Sequence, residues 1–402
     1  MEIRRDMARV LFNVLRDTFE SGSQTSSALS RALASNKDWS DRKRALFSNT
    51  TYDIVRNWRF LWTSLGREPA MEDSHLWHIM GTYMIMNEEE IPSYPEFRGL
   101  RPEKVKGRME KVRKYRAVRE SIPDWLDSLG ERELDEDWES ILHSLNTYPE
   151  LAIRTNTLKT KRPELRRILK EEGIETRTVE IAPDALVFQK KCNVFGLKAF
   201  HDGLFEVQDP ASQMVSLLLQ VKEGMQVADT CAGQGGKTLH LSALMKNKGR
   251  ILAMDDTEWK LRELKKRAAR AGAQNIDARH VTGTKSYKRM KGKFDRLLLD
   301  VPCSGLGSLR RNPDIKWSLD QEGLRRLRML QRNIMSDYCP LLRPGGKMVY
   351  ATCSVLPSEG EEQVQWLIDS SRMDLVLEEE RRTRPDREGF DGFYMARLLL
   401  LD

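Results

Sequence analysis

FDRLLLDVPCSGLGSLRRNPDIKW, residues 294–317, is the stretch from which the fold of this chain can be read. Leu297, Leu298 and Leu299 form a short apolar run with charge on both sides, the pattern of a strand buried on both faces of a parallel sheet. Asp300 ends the run, Pro302 cannot continue ladder hydrogen bonding, and Cys303-Ser304-Gly305 make a small-residue turn. In open α/β sheets ligands collect at such carboxyl ends. A second thiol occupies a matching place. KMVYATCSVLP, residues 347–357, opens as another strand, Cys353 follows its apolar residues, and Pro357 ends it. Two thiols are therefore expected at one crevice.

Moving toward the N-terminus, the α/β alternation starts near Glu206. Asp209-Pro210 is a cap followed by a first-turn proline, and a helix over 211–219 leads into a strand at Met225–Ala228. Then comes DTCAGQGGKT, residues 229–238. Gly233, Gly235 and Gly236 allow backbone N–H groups to approach a ligand closely, and a helix beginning near Lys237 turns its positive end to the same place. The loop is neither the dinucleotide pattern G-x-G-x-x-G nor the full phosphate loop G-x-x-x-x-G-K-[ST]. A second strand, Ile251–Met254, ends in Asp255-Asp256, where a carboxylate at the tip can accept both hydroxyls of a ribose. Together these features suggest an adenosyl ligand without a triphosphate.

The remaining chain divides in two. Residues 148 to about 205 read as a small α+β module: a strand at 151–153, a helix over 162–172 closed by Gly173, and strands at 176–181 and 185–188. Its lysines and arginines suit single-stranded RNA, although the paired aromatics of an RNA-recognition sheet are not apparent. Residues 1 to about 125 read as helical. Met7, Val10, Leu11, Val14 and Leu15 mark one apolar stripe, and a longer stripe starts at a Ser40-Asp41 cap and runs to Leu65-Gly66. The charged run from Arg101 to Arg119 reads first as a solvated face and second as an RNA contact.

Composition agrees with several domains and an anionic partner. The chain has 402 residues, 40% of them hydrophobic, and a formal net charge of +7. No apolar run near 18 residues and no signal-peptide core is present, so a cytoplasmic protein with no membrane partner is expected. The five cysteines are widely spaced with no C-x-x-C pair, which indicates neither a disulfide framework nor a metal site.

Asp229-x-Cys-Ala-x-x-Gly-Gly-Lys-Thr238, Asp300-Val-Pro-Cys-Ser-Gly305, Arg310-Arg-Asn-Pro-Asp-Ile-Lys-Trp317, Ala351-Thr-Cys-Ser354 and Asp391-Gly-Phe-Tyr-Met-Ala-Arg-Leu398 carry a resemblance. Over residues 148 to 402 the chain is similar to the RsmB/Sun family of RNA cytosine-5 methyltransferases. The resemblance implies an α/β fold class with a Rossmann-like methyltransferase domain at 206–402. A linker and small RRM-like α+β module at 126–205 and an all-α domain at 1–125, loosely similar to the NusB-like RNA-binding domain, would precede it.

The resemblance also implies roles. S-adenosyl-L-methionine would lie against Cys231, Ala232, Gly233, Gln234, Gly235, Gly236, Lys237, Asp255, Thr282 and Asp300. Cys353 would be the nucleophile, Cys303 would serve release of the carbon-5 proton, and Asp300 would lie between cofactor and base. Arg310, Arg311 and Lys316, directly after the Pro-Cys turn, would hold RNA phosphates. A monomer acting on ribosomal RNA is expected. Two departures stand out: most members have Ala-Pro-Gly-Gly-Lys where this chain has Gly233-Gln234-Gly235-Gly236-Lys237, and the acid near the adenine aligns with Thr282. Two other readings remain open at this point, a DNA cytosine-5 enzyme using Cys303 and a methyltransferase-like RNA-binding module without catalysis.

Overall fold

The computed structural model describes residues 5–283, 287–371 and 373–402. They form two compact units, one made of Met1–Thr147 and Leu309–Gln321, the other of Tyr148–Ser308 and Glu322–Asp402.

The first unit is helical. Met7, Leu11, Val14 and Leu15 of the helix Arg5–Phe19 pack with Phe47, Ile54 and Val55 of the helix Asp41–Arg56, as their spacing predicts. The Ser40 hydroxyl accepts from the Lys43 N–H, so the expected cap is made. The single long helix expected to follow is two: the chain breaks at Asn57, and Trp58–Leu65 continues as a separate helix that ends on Gly66 at φ +73°. Helices Asp124–Leu134 and Trp138–Leu145 belong to this unit, so it runs past residue 125, the boundary read from the sequence, to Thr147.

Residues 309–321 also belong to it. Polar termini of its helices explain why. Asp314 accepts from the Thr25 N–H at 3.2 Å, at the start of the helix Thr25–Ser35. Lys316 donates to the carbonyl of Arg56 at 2.7 Å, the carbonyl of Glu120 at 3.4 Å and Asn146 Oδ1 at 3.2 Å. Those acceptors lie at the ends of three helices, Asp41–Arg56, Arg116–Arg119 and Trp138–Leu145. Helix carboxyl ends leave carbonyls without intrahelical partners and carry partial negative charge, so one ammonium serves two of them and the side-chain oxygen at a third helix end. Trp317 adds a hydrogen bond to the carbonyl of Val55.

The second unit holds two sheets. β1 (Ala152–Thr155), β2 (Thr176–Thr178), β3 (Ala185–Phe188) and β4 (Phe205–Val207) form an antiparallel sheet in the order β2-β3-β1-β4. The helix Arg162–Glu171 inserts Leu165 and Leu169 into a core with Ile153, Leu186 and Phe205. β5 (Gln226–Asp229), β6 (Arg250–Asp255), β7 (Ile276–His280), β8 (Phe294–Asp300), β9 (Leu342–Thr352), β10 (Leu375–Thr383) and β11 (Phe393–Leu400) form the larger sheet, in the order β10-β11-β9-β8-β5-β6-β7. β7, β6, β5, β8 and β9 are parallel, and β11 runs antiparallel to both its neighbours. Leu297, Leu298 and Leu299 are fully buried at its centre, as a two-face-buried strand requires. The strand order reverses between β5 and β8, the position where α/β sheets open a crevice at their carboxyl ends.

Candidate active site

Register brings the chemistry together. Asp229 pairs with Leu298 and Ala253, and Asp300 pairs with Ala351, so Asp229, Asp255, Asp300 and Cys353 all end neighbouring parallel strands. The two cysteine turns lie side by side, with Cys303 Sγ 3.4 Å from Cys353 Sγ. Hydrogen bonding to Cys353 and burial push the Cys303 thiol well up, which keeps it protonated.

A buried glutamate organises these turns. Glu359, fully buried, accepts from the Ser304 N–H at 2.9 Å, from the Ser304 hydroxyl and from Gln331 Nε2 at 2.9 Å. Gln331 also donates to the Pro302 carbonyl, and Ser304 Oγ, its proton given to Glu359, accepts from the Ser354 hydroxyl at 3.3 Å. Gly307 donates its N–H to the Cys353 carbonyl and packs so tightly on Gly392 that a Cβ would lie 1.9 Å from the Gly392 oxygen. The turns are thus fixed to each other by backbone and side chain. Sequence reading missed Glu359, because beside the exposed-type acids Glu361 and Glu362 nothing marks it as buried.

The glycine-rich loop lies at the tip of β5. Gly235 takes φ +86°, and a Cβ there would sit 2.6 Å from Leu264 Cγ, so only glycine fits. Gly233 takes φ +53°, its N–H donates to Asp255 Oδ2 at 2.8 Å, and nothing lies within 4 Å of where its Cβ would point. Asp255 Oδ1 accepts from the Thr257 N–H. Two arginines hold the loop's carbonyls. Arg267 donates to the Gln234 oxygen at 3.0 Å while paired with Glu206 at 2.8 Å, and Arg154, buried in β1, donates to the Gly236 oxygen at 2.7 Å. Restraint that a proline ring supplies in Ala-Pro-Gly-Gly-Lys is here supplied by side chains. Lys237 Nζ pairs with Asp300 Oδ2 at 2.7 Å and lies 5.1 Å from the centre of the Phe393 ring.

These groups fit S-adenosylmethionine. Asp229, Asp255 and Asp300 on adjoining strand tips suit a cationic ligand carrying hydroxyl groups, and the open space beside Gly233 lets backbone meet it. Burial pushes Asp229 up to about 7, opposed by the hydrogen bond from Thr238 and raised further by Asp300. Burial also pushes Cys231 well up, so its thiol stays protonated. Among the described residues no group of three metal-ligating side chains occurs. Thr282 lies exposed just past β7, and His280 Nε2 donates to the Asp256 carbonyl at 2.8 Å.

The basic residues after the Pro-Cys turn belong to the helical unit. Lys316 is 2% exposed and Arg310 5% exposed within the helical unit, where Arg310 gives its carbonyl to Arg56. Arg311 is half-buried in the same segment. Lys316 spends its donors on helix ends.

A model described as 16S rRNA methyltransferase RsmB/F matches residues 216–399, and one described as the ferredoxin-like domain of RsmF/B-like proteins matches residues 122–195. A ribosomal RNA small subunit methyltransferase B of Proteus mirabilis is 34% identical over 277 residues, 68% of this chain; the match spans 64% of that relative's length. A Synechocystis protein named a probable ribosomal RNA small subunit methyltransferase B is 30% identical over 439 aligned residues, covering 97% of this chain and 98% of that one. Among solved structures, a methyltransferase homolog protein from Pyrococcus horikoshii superposes with a TM-score of 0.64 at 26% identity, covering 71% of this chain and 98% of that one.

Proposed function

The chain belongs to the RsmB/F family of S-adenosylmethionine-dependent RNA methyltransferases, and from that premise we propose that it methylates carbon 5 of a cytosine in small-subunit ribosomal RNA through a covalent bond to Cys353. The observation that carries this reading is the 3.4 Å approach of Cys303 and Cys353 at the carboxyl ends of adjoining strands, beside the Lys237–Asp300 pair.

Carbon 5 of cytosine is a weak nucleophile. Addition of the Cys353 thiolate to carbon 6 makes carbon 5 electron-rich, and the Asp300 carboxyl would accept from the cytosine amino group or, protonated, donate to the ring nitrogen as charge develops. S-adenosylmethionine, when bound, would supply an electrophilic methyl on a sulfonium sulfur, with the neutral thioether as the leaving group. The carbon-5 proton then leaves, the carbon 6–sulfur bond breaks, and Cys353 returns to its starting form. Cys303 serves the proton-release step. Its raised pKa, due first to the hydrogen bond with Cys353, makes it a thiol in the free enzyme; once the sulfur of Cys353 is bonded to carbon 6, the Cys303 thiol can lose its proton to water and take up the carbon-5 proton as a thiolate.

Among the described residues no helix is long and apolar enough to cross a membrane. The reading places the enzyme in the cytoplasm with RNA as its partner. Bisulfite sequencing of small-subunit ribosomal RNA treated with the protein and S-adenosylmethionine tests it. One protected cytosine, absent without cofactor, is expected; methylation confined to DNA, or none on competent RNA, refutes the reading.

A further inference from the structure

The helical unit contains a basic cavity. About 230 Å³ in volume, it lies between the end of the helix Trp58–Leu65 and one face of the helix Pro102–Val112. Arg67, Arg101, Lys104 and Arg108 line it, and no carboxylate does. Some other cations of this unit meet acids: Arg59 pairs with Asp124, Arg116 with Asp127 and Arg119 with Glu139. Among the described residues these four make no ion pair. Four unneutralised cations around one hollow repel each other and raise a strong positive potential there, which an anion relieves.

Two of the four are held in place. The Arg108 guanidinium donates to the Leu65 carbonyl at 2.6 Å, at the end of a helix, and lies so close over Gly66 that a Cβ would come within 2.6 Å of it. Arg67 lies 3.3 Å from Nδ1 of His78, whose Nε2 lies 3.2 Å from the Arg98 carbonyl. His78 is 8% exposed, and burial holds its pKa below the ordinary histidine value, with Arg67 adding to the effect. A neutral ring with its proton on Nε2 satisfies both contacts, donating to the carbonyl and accepting from Arg67. Arg101 and Lys104 stand on the same face of their helix as Arg108, at spacings of three and four residues.

We propose that this cavity binds a phosphodiester group of the RNA substrate. Its volume is below the roughly 300 Å³ at which pockets begin to enclose a whole drug-sized ligand, so a single small anion is the matching occupant. Guanidinium groups fixed in advance suit the tetrahedral oxygens of phosphate. A neighbouring cleft in the same unit, lined by Glu88, Glu89, Glu90 and Glu110, has the opposite charge and would turn RNA away. The inference rests on the RNA reading of the preceding subsection.

The double variant Arg101→Gln/Lys104→Gln tests it, since both side chains are exposed and neither supports the core. The probe is small-subunit ribosomal RNA transcribed in vitro, bound to the full-length protein over a series of salt concentrations. Roughly tenfold weaker binding is expected, with a salt slope flatter by about one unit and no change in S-adenosylmethionine affinity or unfolding midpoint. Arg67→Gln is expected to do the same, more weakly. Wild-type slope in both variants, with RNA still bound, overturns the cavity's role and leaves the RNA reading intact. Absence of RNA binding by the wild-type protein overturns both. Unchanged RNA binding together with loss of polyglutamate binding would give the cavity to an acidic protein segment and likewise overturn the proposal.

Discussion

Lys237 and Lys316 are both largely withdrawn from water, in two different units, and they do different work. Lys237 meets a carboxylate, Asp300, at the mouth of the parallel sheet, where charge and ring stacking hold it beside the reacting groups. Lys316 meets only neutral oxygens, those at the ends of three helices. The difference teaches that a buried cation is defined by its acceptors. Beside an acid at a strand tip it belongs to a reaction site; at converging helix carboxyl ends it replaces the water those carbonyls would otherwise need.

The largest expected effect sharpens the catalytic side of this contrast. Cys353→Ala should reduce methylation to background, because no bond to carbon 6 can form. Cys303→Ala should leave attack and methyl transfer possible and slow proton release, so protein joined to RNA accumulates. A denaturing gel with labelled RNA shows a shifted band for Cys303→Ala and none for the double variant. Trapping by Cys353→Ala instead would exchange the two roles.

Lys316→Met probes the other side. It leaves the carbonyls of Arg56 and Glu120 and the Asn146 amide oxygen short of a donor, and about 1–3 kcal/mol of stability should be lost. Denaturant melting measures that loss. The salt slope for RNA should stay at its wild-type value, and a flatter slope would return Lys316 to the phosphate-binding role.

Asp255→Ala removes the acceptor that ties Gly233 to the second strand tip, and S-adenosylmethionine binding should weaken by about 1–3 kcal/mol, readable by calorimetry. Arg267→Ala, which frees the Gln234 carbonyl, should have a smaller effect of the same sign, roughly threefold. Equal affinity in both variants would mean the loop holds its shape unaided.

Asp229 gives the most graded effect. Its folded pKa is raised to about 7 by burial, so the folded state binds more protons than the unfolded state between about pH 4 and 7. Its contribution to stability is fully present below that window and is lost as pH rises through it. Asp229→Asn should flatten the stability profile between those limits, and an unchanged profile would show that Thr238 and Lys237 already stabilise the charged form.

Sequence by itself determined the parallel strands, the glycine-rich loop and the pairing of Pro-Cys with Thr-Cys-Ser. Each of these is local: a run of leucines, a cap, a turn of small residues at a strand's end. The amphipathic stripes of the helices Arg5–Phe19 and Asp41–Arg56 were legible for the same reason. What sequence could not resolve depends on partners far along the chain. Lys316 reads as a surface cation because its acceptors at residues 56, 120 and 146 are visible only after three helices converge. Glu359 reads as one acid among several until Ser304 and Gln331 arrive to donate to it. Arg154 and Arg267 restrain the Gly233–Gly236 loop only because β1 and β4 lie against it. Burial of a polar group is tolerable only where donors and acceptors match, and that match is a property of the packed chain rather than of any segment of it.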